Sequence, residues 1–262
     1  MQELLDLERY PLDQPDSPEL ANLIVRSQEQ LQTNGMFNLH GFVRPAAIAA
    51  AAAQLLPLAA TASYMHTRAH NVYFEAEVAG LAPDHPALTR FQTTHHTLCD
   101  DQMTHTIIRQ IYEWRPLVAF LARVMDQPTL SAMADPLARI NVIEYRFGEA
   151  LNWHFDRARY TTTLLIQPAE QGGEFEYSSE LRSDTDPNYD GVGRLLVGAG
   201  GDISINQLAA GTLNVFAGKN TLHRVSPVRG SRSRLIAVYS YYDRPGVMFS
   251  DAERMGFYGR TG

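Results

Sequence analysis

Residues Asn152-Trp153-His154-Phe155-Asp156 carry an imidazole and a carboxylate two positions apart. In extended backbone, residues i and i+2 project to one side, so His154 and Asp156 can aim at one point. A third candidate ligand stands 69 residues on, at His223, after the β-rich run Thr212–Phe216 and the turn-like Gly218-Lys219-Asn220. Two histidines and one carboxylate form the facial set of non-haem Fe(II) centres, which covers one side of the ion and leaves other positions open. An H-x-D pair alone is a weak signal, and two hydrogen-bonded core histidines are the plain alternative. An arginine strengthens the set. Arg234 lies 11 residues after His223 and Arg232 lies 9 after. Arg229-Gly230-Ser231 reads as a hairpin turn whose returning strand carries both back beside the ion. A guanidinium there can hold a carboxylate through two charge-assisted hydrogen bonds. The far carboxylate of 2-oxoglutarate, whose keto-acid end chelates iron, suits that place. Arg234 is the favoured clamp; Arg232, nearer the turn, is expected at the rim.

These residues need elements to position them. From about Leu137, short β-rich runs alternate with Gly, Asn, Asp and Ser clusters: Ile140–Tyr145, Tyr160–Gln167, Glu174–Ser178, Thr212–Phe216 and Leu235–Tyr242. That texture predicts an antiparallel sandwich or barrel. The preceding half reads as mainly helical. Ser17 and Pro18 open a helix that Asn34-Gly35 ends. Phe37 to His40 reads as a short strand. An Ala-rich helix is expected from Pro45 to about Thr67. Asp100 to Met125 gives one or two helices, jointed at Pro116. Ser183 to Gly201 is polar, then Gly-rich, and reads as a surface insertion with a short helix near Val192–Val197. The expectation is an α+β chain forming one domain over 1–262. Residues 1–135 would give mainly helical support and 136–262 most of the β core and the metal site.

Three segments then match a known pattern. Tyr145-Arg-Phe-Gly-Glu-Ala-Leu-Asn-Trp-His154-Phe-Asp156, Gly172-Gly-Glu-Phe-Glu-Tyr177, and His223-Arg-Val-Ser-Pro-Val228 with Arg234 resemble the Fe(II)/2-oxoglutarate-dependent dioxygenases. The resemblance covers about Asn141 to Tyr242. It implies a double-stranded β-helix (jelly roll) with helices packed outside its larger sheet, and Fe(II), 2-oxoglutarate and O2 as reactants, with ascorbate helpful in vitro. Leu98-Cys-Asp-Asp-Gln102 and Phe257-Tyr-Gly-Arg-Thr261 further resemble a subgroup of radical halogenases and hydroxylases of free amino acids. Halogenases of that subgroup have Gly or Ala where the carboxylate ligand would be, which opens a position for chloride. Asp156 fills it here, so hydroxylation is expected, through a ferryl that abstracts hydrogen and a hydroxyl that rebounds. The expected substrate is a small polar molecule, a free amino acid or a derivative. A protein side chain, as for prolyl hydroxylases, and a non-catalytic ligand-binding jelly roll are the alternatives.

Secondary roles follow from the same pattern. Asn141 and Tyr145 share parity on a core strand, and the resemblance points them at 2-oxoglutarate; a packed aromatic is the plain reading for Tyr145. Arg157 departs from the acidic or amide residue of amino-acid-binding relatives. It would favour an anionic substrate if it faced the pocket, although alternation sets it opposite Asp156. With Leu151 it puts a lysine-like substrate in doubt. Val238 and Ser240 continue the face of Arg234 toward the substrate end, and Tyr258 can fold over as a lid. Trp153 is out of phase with the ligands and is expected to pack behind them. His95, His96 and His105 have no carboxylate in register for a second metal, though Thr93 to Asp101 can supply a pocket wall. Asp100-Asp101 reads as a helix cap, Cys99 as a small buried hydrophobe, and Glu174 and Glu176 as a solvated strand face.

Composition narrows the function classes. The chain has 262 residues, 45% hydrophobic and 19% charged, the balance of a globular protein. Its net charge of −7 speaks against general nucleic-acid binding. Lys219 is its single lysine, which leaves Schiff-base chemistry a poor option. One cysteine excludes an internal disulfide framework, and with no recognisable signal peptide this favours the cytoplasm. The Ala46–Ala60 stretch is broken by Gln54 and Pro57, so no membrane span is expected. Oligomeric state is not readable.

Overall fold

The structure is a computed structural model that describes residues 1–75 and 77–262. In chain order the strands are β1 (Met36–Leu39), β2 (Tyr64–His70), β3 (Phe91–Leu98), β4 (Ser131–Ala132), β5 (Ile140–Tyr145), β6 (Leu151–His154), β7 (Thr161–Gln167) and β8 (Gln171–Gly172). They continue as β9 (Phe175–Ser178), β10 (Ser204–Asn206), β11 (Leu213–Phe216), β12 (Leu222–Val225), β13 (Val228–Arg229), β14 (Arg234–Tyr239) and β15 (Tyr241–Tyr242). The helices are α1 (Pro18–Asn34), α2 (Pro45–Ala62), α3 (Ile107–Tyr112), α4 (Arg115–Val124), α5 (Tyr189–Leu196) and α6 (Asp251–Tyr258).

A seven-stranded antiparallel sheet runs β1-β11-β7-β14-β5-β3-β2, and a four-stranded one runs β10-β9-β12-β6. Alternation within the strands explains the layering. On β14, Leu235 and Ala237 join a large apolar cluster with the helices, while Ile236 turns the other way. On β5, Ile140 and Val142 face the helices, and Asn141, Ile143 and Tyr145 face away. The register pairs Arg234 with Tyr145, Ile236 with Ile143 and Val238 with Asn141, so these six share the face turned toward the smaller sheet.

The helices start and stop as their chemistry dictates. Ser17 Oγ accepts from the Leu20 N–H at 3.1 Å to open α1, and Gly35 closes it at φ 72°. α2 packs Ala47, Ile48, Ala51, Leu55 and Ala59 inward. Its 18 residues, with mean hydropathy 1.5, are long and apolar enough to cross a membrane by those two measures, despite Gln54 and Pro57. Pro116 stands in the first turn of α4, where its missing N–H costs nothing. In the 183–201 insertion, α5 packs Val192 and Leu195 against Trp153, Phe155 and Leu222, covering the outer face of the smaller sheet. Trp153 thus lies behind the ligands.

Two expectations are corrected here. The second helix stops at Ala62 rather than near Thr67, and residues 64–70 are strand β2. The first 135 residues are more than helical support, because β1, β2 and β3 all belong to the larger sheet. Neither β2 nor β3 has an apolar alternation, since both are polar on two faces; their pairing with each other and with β5 is what makes them strands.

Candidate metal centre and cavity

His154 ends β6 and His223 lies on β12 directly opposite it in the ladder. Asp156 follows two residues after His154. Its Oδ1 lies 3.3 Å from His154 Nε2 and 3.5 Å from His223 Nε2. One ligand atom from each residue can be chosen so that all three lie within 4.8 Å of one another. The imidazoles are fixed from behind. His154 Nδ1 lies 2.8 Å from the Asn152 carbonyl, and His223 Nδ1 lies 2.9 Å from the Thr221 carbonyl. A carbonyl only accepts, so each Nδ1 carries the proton and each Nε2 presents its lone pair.

Asp156 is held just as firmly. Thr161 Oγ1 donates to Oδ2 at 2.6 Å, and the Asp156 N–H donates to the Gly218 carbonyl at 3.0 Å. A Cβ at position 218 would collide with the carboxylate, so this close approach requires glycine. Burial works to raise the Asp156 carboxyl, but the neighbouring His223 and His154 outweigh it and hold the group well below the usual carboxylate range. Burial also pushes His154 below the ordinary imidazole value. An ionised carboxylate beside a His154 ring that gives up its proton readily suits a divalent cation.

Arg234 is buried at 2% exposure, and its Nη1 has no hydrogen-bond partner. Its guanidinium carbon lies 5.8 Å from the Tyr145 ring centroid, and burial lowers its pKa. A buried guanidinium without a counter-ion is costly and calls for an anion. Arg232 is exposed and donates to the Pro168 and Ala169 carbonyls, so it lies at the surface.

A cavity of about 320 Å³ lies between the two sheets, over the ligands. Asn141, Val238, Ser240, Tyr258 and Arg157 all line it. Arg234 and Tyr145 do not; they sit deeper, beside Leu165, Val225 and Ile236. Asn141 donates to the Leu137 carbonyl at 2.9 Å and accepts from the Tyr258 hydroxyl at 2.8 Å. Its amide therefore ties the C-terminal helix to β5 while it lines the cavity. Tyr258 is buried, and α6 is tied down by Arg254–Asp135 and by Arg260–Asp101 just beyond it. Arg157 pairs with Glu253 at the mouth.

The cavity also holds four residues the sequence reading missed, on and just after β2. His66, Arg68 and His70 on β2 and the following Phe74 line it, together with Thr93, His95 and Thr97 of β3. The pattern His66-x-Arg68-x-His70 is a period-2 signal that a strand assignment would have exposed. Thr93 to Thr97 does provide a wall, with His95 facing in. His96 instead pairs with Glu149, and His105 is exposed. Glu176 pairs with Arg224, and Glu174 accepts from Ser226; neither lines the cavity. Asp100 bridges Arg109 and Arg139, beyond any capping role.

Among curated proteins nothing matches the chain. Residues 21–248 match the family described as HalD, Halogenase D. The chain belongs to the Halogenase D family. This HalD member is also similar to solved structures. The non-heme alpha ketoglutarate dependent epimerase SnoN from nogalamycin biosynthesis superposes with a TM-score of 0.59 at 14% identity, covering 85% of this chain and 83% of that one. AviO1 from Streptomyces viridochromogenes Tue57 gives 0.57 at 15%, covering 85% and 96%. A prolyl hydroxylase from Trichoplax adhaerens, in complex with a hypoxia inducible factor peptide fragment, gives 0.56 at 13%, covering 86% and 91%. The shared fold is that of the Fe(II)/2-oxoglutarate oxygenases, as the sequence resemblance implied. The three convergent donors fit Fe(II), and the orphaned guanidinium of Arg234 fits the distal carboxylate of 2-oxoglutarate.

Proposed function

We propose that this HalD protein is a hydroxylase of a small polar molecule, a free amino acid or a derivative, built on a double-stranded β-helix. His154, Asp156 and His223 hold Fe(II), and Arg234 anchors 2-oxoglutarate through its distal carboxylate, with the Tyr145 ring beneath. Bound iron and 2-oxoglutarate supply an oxidation in which O2 places one oxygen atom in a C–H bond and the other in succinate, with release of CO2. The protein's part is geometry. The Asn152 and Thr221 carbonyls aim the two imidazoles, and Thr161 with Gly218 fixes the carboxylate. Val238 on β14 and Ser240 just beyond it orient the substrate.

The position of Asp156 carries this reading. A halide would need the place that its carboxylate fills, 3.3 Å and 3.5 Å from the two imidazoles. The cavity's volume of about 320 Å³, with Phe249, Phe257 and Tyr258 of the C-terminal segment in its lining, favours a small molecule over a peptide.

Two measurements test the proposal. Fe(II) with 2-oxoglutarate under anaerobic conditions should give a visible charge-transfer band. Turnover in excess chloride should add 16 daltons to a screened amino acid or derivative, without a chlorine isotope pattern. A chlorinated product would overturn the hydroxylase assignment, and no band would overturn the metal site.

A further inference from the structure

The cavity mouth carries a charge that this chemistry does not use. Arg68 stands on β2 between His66 and His70, and its guanidinium carbon lies 5.1 Å from the Phe74 ring centroid. The Phe74 ring stacks on His70 at 4.6 Å and meets His154 edge-on at 6.1 Å. A continuous stack therefore runs from a surface guanidinium to a candidate iron ligand.

The backbone under that stack is strained. Phe74 has φ of 59°, uncommon for a bulky residue. Asn71 imposes it. Its Oδ1 accepts from the N–H groups of Tyr73 and Glu75 at 3.1 and 3.2 Å, while its Nδ2 donates to the Glu75 carbonyl. The Phe155 N–H ties the same turn to the metal loop through the Val72 carbonyl at 3.2 Å. Strain of this kind persists where the surroundings over-determine it, and it concentrates at ligand sites.

The charges are one-sided. Arg157, also at the mouth, lies 5.9 Å from the Phe257 centroid and is already paired with Glu253. Arg68 has no ion-pair partner among the described residues. Among those residues the one carboxylate lining the cavity is Asp156, committed to the metal. Glu75 and Glu77 do not line the cavity; with Arg68 they line a separate groove of about 570 Å³. An ammonium entering the cavity would meet two guanidiniums and no free carboxylate, which penalises its desolvation. An anion would meet an unpaired, aromatic-backed guanidinium.

We propose that Arg68, laid on Phe74, determines specificity by binding an anionic group of the substrate, a carboxylate or a phosphate. The substrate's apolar or aromatic body lies along Phe74, and it carries no free ammonium inside the cavity. This deepens the proposed function and rests on its premise that the cavity receives the substrate. It narrows the amino-acid class to derivatives with a masked amine, alongside other organic acids.

The test uses the full chain, loaded anaerobically with Fe(II) and 2-oxoglutarate, and saturation-transfer NMR at millimolar ligand. Probes are matched by skeleton: 4-phenylbutyrate, 4-phenylbutyramide and 4-phenylbutylamine; N-acetylleucine and leucinamide; phenyl phosphate and benzylamine. Acids should bind and amines should not. Arg68→Gln should weaken the acids about tenfold, the loss of one charge-assisted contact, with Arg68→Lys restoring part. Phosphate esters binding better than carboxylates, or the reverse, identifies which anion is preferred. Amines that bind as tightly as acids, acids that bind the Gln variant as tightly as the wild type, or no acid binding at all would overturn the inference. The visible Fe(II)–2-oxoglutarate band in the same samples reports on the proposed function separately. A band with no Arg68-dependent acid binding removes the inference alone; acids held by Arg68 with no band leave the anion site and remove the oxygenase reading.

Discussion

Arg234 and Arg68 each lie over an aromatic ring, and their surroundings differ. Arg234 sits over Tyr145 in the deep end of the space between the sheets, 2% exposed, with an orphaned Nη1. Arg68 sits over Phe74 at the mouth, in contact with water. Water solvates the outer guanidinium whether or not a ligand is present, so Arg68 can select among substrates at little standing cost. Burial strips water from the inner one, so Arg234 is costly to leave unpaired and calls for an anion. Depth thus turns the same side-chain pair into an obligate site at one end and a selective one at the other.

The comparison breaks first at the donor set of His154, Asp156 and His223. His223→Ala should abolish Fe(II) binding and cut succinate formation by at least about a hundredfold, since even outer partners of metal ligands are worth ten- to a hundredfold. Equilibrium metal titration checks it, and an unchanged affinity would remove the triad. Thr161→Val, which takes away only the hydrogen bond to Asp156 Oδ2, should cost about tenfold in the same titration.

Arg234→Met sharpens the contrast of depth. It should weaken 2-oxoglutarate by about a hundredfold, on the order of 3 kcal/mol for a buried charge-assisted pair. Without 2-oxoglutarate it should raise the melting temperature, because an unpaired buried charge is gone. The wild type should gain stability with 2-oxoglutarate and the variant should not. A variant less stable than the ligand-free wild type would mean that Arg234 already has a partner.

Acid stability probes the wall between the two ends. Burial lowers His95 from its ordinary value to about 3. The unfolded chain therefore binds a proton that the folded protein refuses between the unfolded value of about 6.5 and 3. The stability from neutral His95 is complete above about pH 6.5. It falls as pH drops through that window, by up to about 1.4 kcal/mol per pH unit. Urea unfolding of metal-free protein should show a shallower acid decline for His95→Leu than for wild type; equal slopes would place His95 in water. The smallest effect belongs to the rim. Arg157→Gln removes a pair whose arginine side chain is 69% exposed, and should cost no more than about 1 kcal/mol in the same assay.

Local pattern carried some of this architecture and failed on other parts. His154 and Asp156 were legible because a two-residue period in extended chain puts both on one side. Arg234, Val238 and Ser240 were legible for the same reason, along one strand. β2 and β3 were not. Met65-His-Thr-Arg-Ala-His70 and Gln92-Thr-Thr-His-His-Thr97 carry polar groups on both faces, so hydrophobic alternation is absent. Their strand identity comes from pairing with each other and with β5. Asn141 was placed on the cavity face, but its hydrogen bond to Tyr258 was not legible, because it joins residues 117 positions apart.

The sequence by itself determined the donor set, with its carboxylate two residues after the first histidine, and the arginine that follows the second histidine. Each is a matter of residue type and short-range period, and the backbone enforces both locally. Only the tertiary structure decided which charges stand unpaired and where the cavity opens. Those depend on strand register, on the C-terminal helix folding back over the mouth, and on a left-handed turn at Phe74 held by the Asn71 side chain. Burial and pairing are properties of groups brought together across the chain, and no short-range pattern encodes them.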